Sequence, residues 1–122
     1  MPLRFVLDEH HRGVLWDAIF RHNLRGVDPI DATRVGDPVD LPLGVLDPQI
    51  LLWAEREARI LVSSDKSTMA NHLADHLAAG HHCPGVMTIR PGVSLREVLN
   101  FLVLAAYASD PSEWQDRIAF VP

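Results

Sequence analysis

The sequence is poor in cysteine and has no long apolar run. Cys83 is the single cysteine among 122 residues, which excludes an internal disulfide and is typical of a protein in a reducing cytosol. The longest apolar run, residues 101–108, is far shorter than the ~20 residues that a membrane span requires. We expect no secretory signal, because the chain enters a strand pattern at its start. These absences predict a cytoplasmic protein without membrane association.

Positive charge is also scarce, and nearly all of it is arginine. Lys66 is the only lysine beside ten arginines, and the formal net charge is −5. Such a chain is not expected to bind nucleic acid non-specifically. RNA is still an acceptable substrate, because metal ions would neutralise an acidic site. The length predicts one domain, residues 1–122, that buries most of its apolar surface.

Short apolar runs alternate with amphipathic segments along the whole chain. Strands are predicted at residues 3–7, 27–35, 60–63, 86–89 and 117–121, and helices at about 10–23, 47–58, 67–79 and 95–108. Alternation at this spacing predicts an α/β fold, a three-layer α/β/α sandwich with a mostly parallel sheet. If the acidic ends of strands one and three are to meet, the sheet order must be 2-1-3-4, with strand five at the far edge.

Carboxylates follow two of the predicted strands. Asp8 and Glu9 come directly after the first strand, and Asp65 follows the third. Ligands of open α/β sheets bind at the edge where the strands end. Carboxylates that converge there raise one another's pKa unless a cation lies between them, and Mg²⁺ is held by carboxylate oxygens. The pattern therefore predicts a Mg²⁺ or Mn²⁺ site, although helix capping alone also explains an aspartate at such a junction.

Two other polar residues near these junctions, Asp47 and His10, each have two possible roles. Asp47 precedes Pro48, which is typical of a helix N-cap followed by proline at the first helical position. A cap at this edge can also face the site. His10 either contacts a substrate phosphate or helps to start the helix. The candidate substrate-binding residues are His10, Lys66 and Ser67.

Two histidines have the spacing of zinc ligands. His72 and His76 lie four residues apart in the third predicted helix, as in helical zinc motifs. Because no glutamate adjoins His72 and no third ligand is evident, we interpret the pair as part of a solvated helix face. The segment 81–83 lacks the second cysteine that a structural zinc site would need. The sequence therefore predicts no zinc site.

Three segments resemble a family of small bacterial PIN-like proteins of unknown function, which is related to the VapC-type toxin nucleases. They are LDEH after the first strand, LDPQILLWAERE in the second helix and RILVSSDKS around the third strand. The resemblance implies a PIN-like α/β/α fold and a metal-dependent ribonuclease activity. It also implies an acidic, metal-binding site formed by Asp8, Glu9, Asp47 and Asp65.

Three functions are compatible with these features. The first is a Mg²⁺- or Mn²⁺-dependent ribonuclease, the toxin half of a toxin–antitoxin pair, with RNA as substrate and Asp8, Asp47 and Asp65 as catalytic residues. The second, a phosphoacceptor receiver module, is disfavoured because a receiver needs a lysine after strand five and Lys66 is the only lysine. The third is a non-catalytic protein that binds an antitoxin or a second copy of the chain through the apolar helix at 95–108.

Overall fold

The computed structural model describes residues 2–64 and 67–121 of the chain. Within them, strands and α-helices alternate, and short 3₁₀ helices cover Glu9–His11 and Pro111–Glu113. The strands are β1 (Arg4–Leu7), β2 (Asp31–Arg34), β3 (Ile60–Ser63), β4 (Val86–Ile89) and β5 (Ile118–Val121). The α-helices are α1 (Val14–Leu24), α2 (Asp47–Glu57), α3 (Met69–Ala78) and α4 (Leu95–Ala108).

The described strands form one parallel sheet in the order β2-β1-β3-β4-β5. This confirms the predicted three-layer α/β/α sandwich and the predicted strand order. The sheet is parallel at every described pairing, where a mostly parallel sheet was expected. From β1 the chain moves outward to β2 and then returns to β3 on the other side of β1. The strand order thus reverses between β1 and β3, and ligands of open α/β sheets bind at such a point.

Side-chain alternation along the strands separates the core into two layers. Phe5, Leu7 and Val62 pack with α1 and α4 on one face of the sheet. Val6 and Leu61 pack with α2 and α3 on the other face. The positions that follow Leu7 and Val62 therefore belong to the face that α2 and α3 cover.

The element boundaries agree best with prediction where a local signal marks them. α4 begins and ends as predicted, and Ser94 caps it by accepting a hydrogen bond from the Glu97 N–H at 3.1 Å. The predicted first helix is instead interrupted at Gly13, so that a 3₁₀ turn precedes α1. β2 covers only part of the predicted segment and, among the described strands, pairs with β1 alone, as expected for an edge strand. None of the helices in the described part of the chain combines the length and the apolar character that crossing a membrane requires.

Candidate functional site

A cleft lies at the edge of the sheet where β1 and β3 end. It has a volume of about 270 Å³, and its described lining residues are Asp8, Glu9, His10, Gly44, Val45, Asp47, Ile50 and Ser63. Three of these side chains are carboxylates, and they come from two separate segments of the chain. The structure therefore brings the predicted acids Asp8, Glu9 and Asp47 together, with His10 beside them.

The fold explains why these segments meet. Leu7 pairs with Val62, and the Asp8 N–H donates to the Val62 carbonyl at 3.1 Å. Asp8 is therefore held beside Ser63, the last residue of β3, on the face of the sheet that α2 covers. The α2 helix begins at the same edge, which brings Asp47 to the cleft.

Asp8 both caps a turn and lines the cleft. Only 7% of the residue is exposed, and its Oδ1 accepts a hydrogen bond from the His10 N–H at 3.1 Å. The Nε2 of His11 lies 4.0 Å from the same oxygen. Asp8 therefore has the capping role that the sequence indicated, and the same side chain also lines the cleft.

Glu9 ties a loop to the cleft. Its carboxylate accepts a hydrogen bond from the backbone N–H of Gly44. Gly44 has a φ of +84°, a left-handed conformation that glycine adopts without the steric cost of a side chain. The loop between β2 and α2 can therefore turn here and form one wall of the cleft, where Val45 also lies.

Asp47 does not cap α2, so the predicted N-cap is wrong. The helix begins at Asp47 itself, and Leu46 occupies the N-cap position with an extended backbone. A leucine side chain cannot accept a hydrogen bond. The Leu46 N–H instead donates to Oε1 of Gln49 at 3.4 Å. The Asp47 carboxylate lies 3.8 Å from Nε2 of His72 and is half-buried.

His11 is a neighbour of the cleft that the sequence reasoning did not select. Its side chain is 15% exposed, and its Nε2 lies 2.8 Å from the Ser64 hydroxyl. Burial lowers the pKa of His11 below its usual 6.5, although the charge of Asp8 acts in the opposite direction. The neutral imidazole is therefore favoured near neutral pH. His11 follows Asp8 by three residues, a spacing that brings two side chains to the same side of a helical turn. This spacing could have identified His11 in the sequence.

The remaining predicted residues have different outcomes. Asp65 and Lys66 lie outside the described residues, so their roles as a ligand and a substrate-binding group stay predictions. Ser67 is exposed before α3 and is not among the described residues that line the cleft. Ser63 lines it instead. Alternation along β3 could have identified Ser63, because it is the polar position on the same face as Leu61.

The donor types of the cleft suit a hard divalent cation. Asp8, Glu9 and Asp47 offer carboxylate oxygens, and Ser63 adds a hydroxyl. Mg²⁺ and Mn²⁺ prefer such oxygen ligands to sulfur or nitrogen. Among the described residues, however, the group whose ligand atoms all lie within 4.8 Å of one another is not this one but Glu55, His76 and His81.

Comparisons with known proteins add nothing to this geometry. No family model, no curated protein and no solved structure matches the chain. The resemblance to PIN-like proteins therefore stays a prediction, and the function has to be argued from the site.

Proposed function

We propose that the protein is a Mg²⁺- or Mn²⁺-dependent ribonuclease whose active site is the acidic cleft. The observation that carries the proposal is the convergence of Asp8, Glu9 and Asp47 on one cleft at the edge where the strands end. Carboxylates that share a site repel one another unless a cation lies among them. A role as the toxin of a toxin–antitoxin pair is proposed from the PIN-like resemblance alone.

Each acidic residue has a proposed role. A bound Mg²⁺ or Mn²⁺ would lower the pKa of a water molecule and stabilise charge on the phosphate. Asp8 and Asp47 are the proposed ligands, because they reach the cleft from two packed elements. Glu9 is the proposed outer-sphere partner or second-metal ligand, since its carboxylate already accepts the Gly44 N–H. Asp65, two positions after the end of β3 in the sequence, completes the proposed set.

Two adjacent histidines extend the proposed site toward the substrate. His10 lines the acidic cleft and also an adjoining, mainly apolar hollow of about 490 Å³, which His11 and Val93 line as well. A phosphate bound in the cleft would place a neighbouring base of the RNA near this hollow. Because His10 lines both the cleft and the hollow, it is the proposed phosphate contact. His11, whose pKa is lowered by burial, is proposed to accept a proton at Nε2 near neutral pH.

The test is cleavage of labelled single-stranded RNA by the purified chain. We expect cleavage with Mn²⁺ or Mg²⁺ and none when the metal is chelated. Asp8→Asn should slow cleavage at least about 100-fold, equivalent to about 2.7 kcal/mol in activation free energy. Asp17→Asn, which changes an exposed acid on α1, is the matched control and should cleave like the wild type.

Two results would contradict the proposal. Equal cleavage by the wild type and by Asp8→Asn would show that the activity does not come from the cleft. Intact RNA after incubation of the wild type with either metal would show that the cleft is not a nuclease site.

Partner binding without catalysis is the second candidate function. Val39, Leu43 and Leu46 are exposed in the loop beside the cleft, and Leu104 is exposed on α4. Most of the apolar surface of α4 is buried in the core, however, around Val98, Leu102, Ala105 and Ala106. An antitoxin or a second copy of the chain is therefore proposed to contact the loop rather than the apolar face of α4. Substitution of Val39 by Asp should weaken that association and leave the fold intact.

A further inference from the structure

A second group of metal-ligand side chains lies where α2 and α3 end. Glu55, His76 and His81 each offer one ligand atom, and these atoms all lie within 4.8 Å of one another. We call these three residues the His/Glu cluster. Oε1 of Glu55 lies 3.3 Å from Nε2 of His76 and 3.0 Å from Nδ1 of His81.

The burial of His76 overturns the interpretation of His72 and His76 as a solvated helix face. Only 7% of His76 is exposed, and its ring stacks on that of His81 with centroids 4.9 Å apart. The two side chains that lie beside His76 are Glu55 of α2 and His81 of the turn after α3. His72, four residues before His76 on α3, is not one of them. His72 contributes to the other end of α2 instead, beside Asp47.

The turn after α3 brings His81 back to the helix. Gly80 has a φ of +90°, the left-handed conformation that commonly ends a helix at glycine. The chain reverses there, and the His81 N–H donates to the His76 carbonyl at 3.2 Å. The relative position of the two histidines is therefore held by the backbone.

Two of the three spacings between the ligand atoms are close to those of a tetrahedral zinc site, and the third is at most 4.8 Å. Zn–N distances of ~2.0–2.1 Å place two ligand atoms of a tetrahedral site about 3.4 Å apart. The two distances from Glu55, 3.3 and 3.0 Å, lie close to this value. Two histidines and one glutamate form an established zinc ligand set that leaves a fourth position for water. His81, with 43% of its side chain exposed, gives solvent access to that position.

The Glu55 carboxylate is oriented by a backbone hydrogen bond. The backbone N–H of His82 donates to Oε2 at 2.9 Å. This hydrogen bond fixes one carboxylate oxygen, while the other lies beside the two imidazoles. Outer hydrogen bonds of this kind orient metal ligands.

His76 must carry its ring proton on Nδ1 to bind a metal through Nε2. In the metal-free protein Nε2 lies 2.8 Å from the carbonyl oxygen of His82. Because a carbonyl only accepts hydrogen bonds, Nε2 carries a proton in that contact. A metal ion at the cluster would therefore replace this hydrogen bond, and the ring proton would move to Nδ1.

We propose that the His/Glu cluster binds a Zn²⁺ ion that fastens the end of α2 to the end of α3 and the turn that follows. Glu55 lies eight residues after Asp47 on α2, about 12 Å along the axis at ~1.5 Å per residue. The site is therefore distinct from the acidic cleft, and its imidazole ligands select a softer ion than Mg²⁺. The proposed ion stabilises helix packing and takes no part in the cleavage reaction.

The experiment is a calorimetric Zn²⁺ titration of the metal-free full chain near neutral pH. We expect one tight equivalent that excess Mg²⁺ does not displace, and visible absorption typical of tetrahedral Co²⁺ when Co²⁺ replaces Zn²⁺. His81→Ala and Glu55→Gln should each weaken Zn²⁺ binding at least about 10-fold, the lower limit for loss of a supporting group around a metal. Because His81 is partly exposed, its variant is expected to fold, and circular dichroism verifies this.

His22→Ala is the matched control. His22 lies on α1, its Nε2 is 2.9 Å from the backbone carbonyl oxygen of Asp28, and it belongs neither to the His/Glu cluster nor to the lining of the acidic cleft. This variant should keep the Zn²⁺ affinity of the wild type. No tight Zn²⁺ binding to the wild type, or equal losses in His81→Ala and His22→Ala, would overturn the proposal. Loss of the tight equivalent in Asp47→Asn but not in Glu55→Gln would place the ion in the cleft and would also overturn it.

Discussion

The two ends of α2 carry groups of polar side chains that differ in chemistry and in origin. At its start, Asp47 lines the same cleft as Asp8 and Glu9, where the side chains offer oxygen atoms. Near its end, Glu55 meets the two imidazoles of the His/Glu cluster. The first group forms where parallel strands end, a position that topology assigns to ligands. The second group depends on the packing of α2 on α3. The helix α2 therefore contributes to one group at the edge of the sheet and to another between two helices.

The largest effect should follow from truncating a buried core side chain in the middle of α2. Leu51 lies between the two ends of the helix and is fully buried. Leu51→Ala should lower the free energy of unfolding by about 2–5 kcal/mol, because it leaves a cavity. It should also weaken Mn²⁺ binding and Zn²⁺ binding together, since α2 positions ligands for both.

Urea denaturation and metal titrations measure these effects. Leu52→Ala, which truncates an exposed neighbour on the same helix, is the control and should change the unfolding free energy by roughly 0.5 kcal/mol or less. A Leu51 variant that is destabilised but binds both metals normally would contradict a shared dependence on α2.

Metal-specific stabilisation should separate the two regions. A ligand at ~100 times its dissociation constant stabilises the folded state by about 2.7 kcal/mol. Mn²⁺ should therefore raise the melting temperature of Glu55→Gln but not of Asp47→Asn. Zn²⁺ should do the reverse. Thermal melts with each metal measure both responses, and one substitution that abolishes both would show that the regions behave as one site.

The smallest effects concern pH, and the two regions should respond with opposite signs. Burial lowers the pKa of His11 from its usual 6.5, against the opposing charge of Asp8. Protonation then favours the unfolded chain, so stability falls as pH falls below 6.5 through the lowered pKa. The hydrogen bond and charge of Asp116, with a further contribution from Glu55, raise the pKa of His82 above 6.5. That stabilisation is complete below 6.5 and is lost as pH rises through the raised pKa.

Each histidine variant should flatten one side of the stability profile. His11→Gln should reduce the loss of stability on the acid side, and His82→Gln should reduce the loss on the alkaline side. The effect of His82 should be the weaker one, because this side chain is exposed and its ion pair is screened. Urea denaturation between about pH 5 and pH 8 measures both slopes. Identical dependences of the unfolding free energy on pH in the two variants would contradict the predicted difference between His11 and His82.

The elements that were predicted well are those whose signals are local. Ser94 and Glu97 mark the start of α4 within four consecutive residues, and the helix has its predicted bounds. The start of α2 shows the limit of this reasoning. A proline follows Asp47 as a cap would require, yet the helix begins one residue earlier and Gln49 binds the Leu46 N–H. The aspartate–proline signal therefore located the start of the helix only to within one residue.

The sheet, and the position of Asp8 and Glu9 at its edge, could be predicted from local patterns in the sequence. Buried strands appear in a sequence as short apolar runs. Asp8 and Glu9 directly follow such a run, so their order in the chain places them at the edge where the strands end. The requirement that acidic strand ends should meet was sufficient to predict the order that the sheet has.

The His/Glu cluster could not be predicted from the sequence, because it forms between residues of α2, α3 and the turn that follows. Periodicity within α3 shows that His72 and His76 share a face, but it does not show which helix covers that face. The packing of α2 on α3 buries His76 beside Glu55, which is far from it in the sequence. The left-handed turn at Gly80 then returns His81 to the same point. Contacts between distant segments depend on the packing of whole helices, and no local pattern of residues encodes that packing.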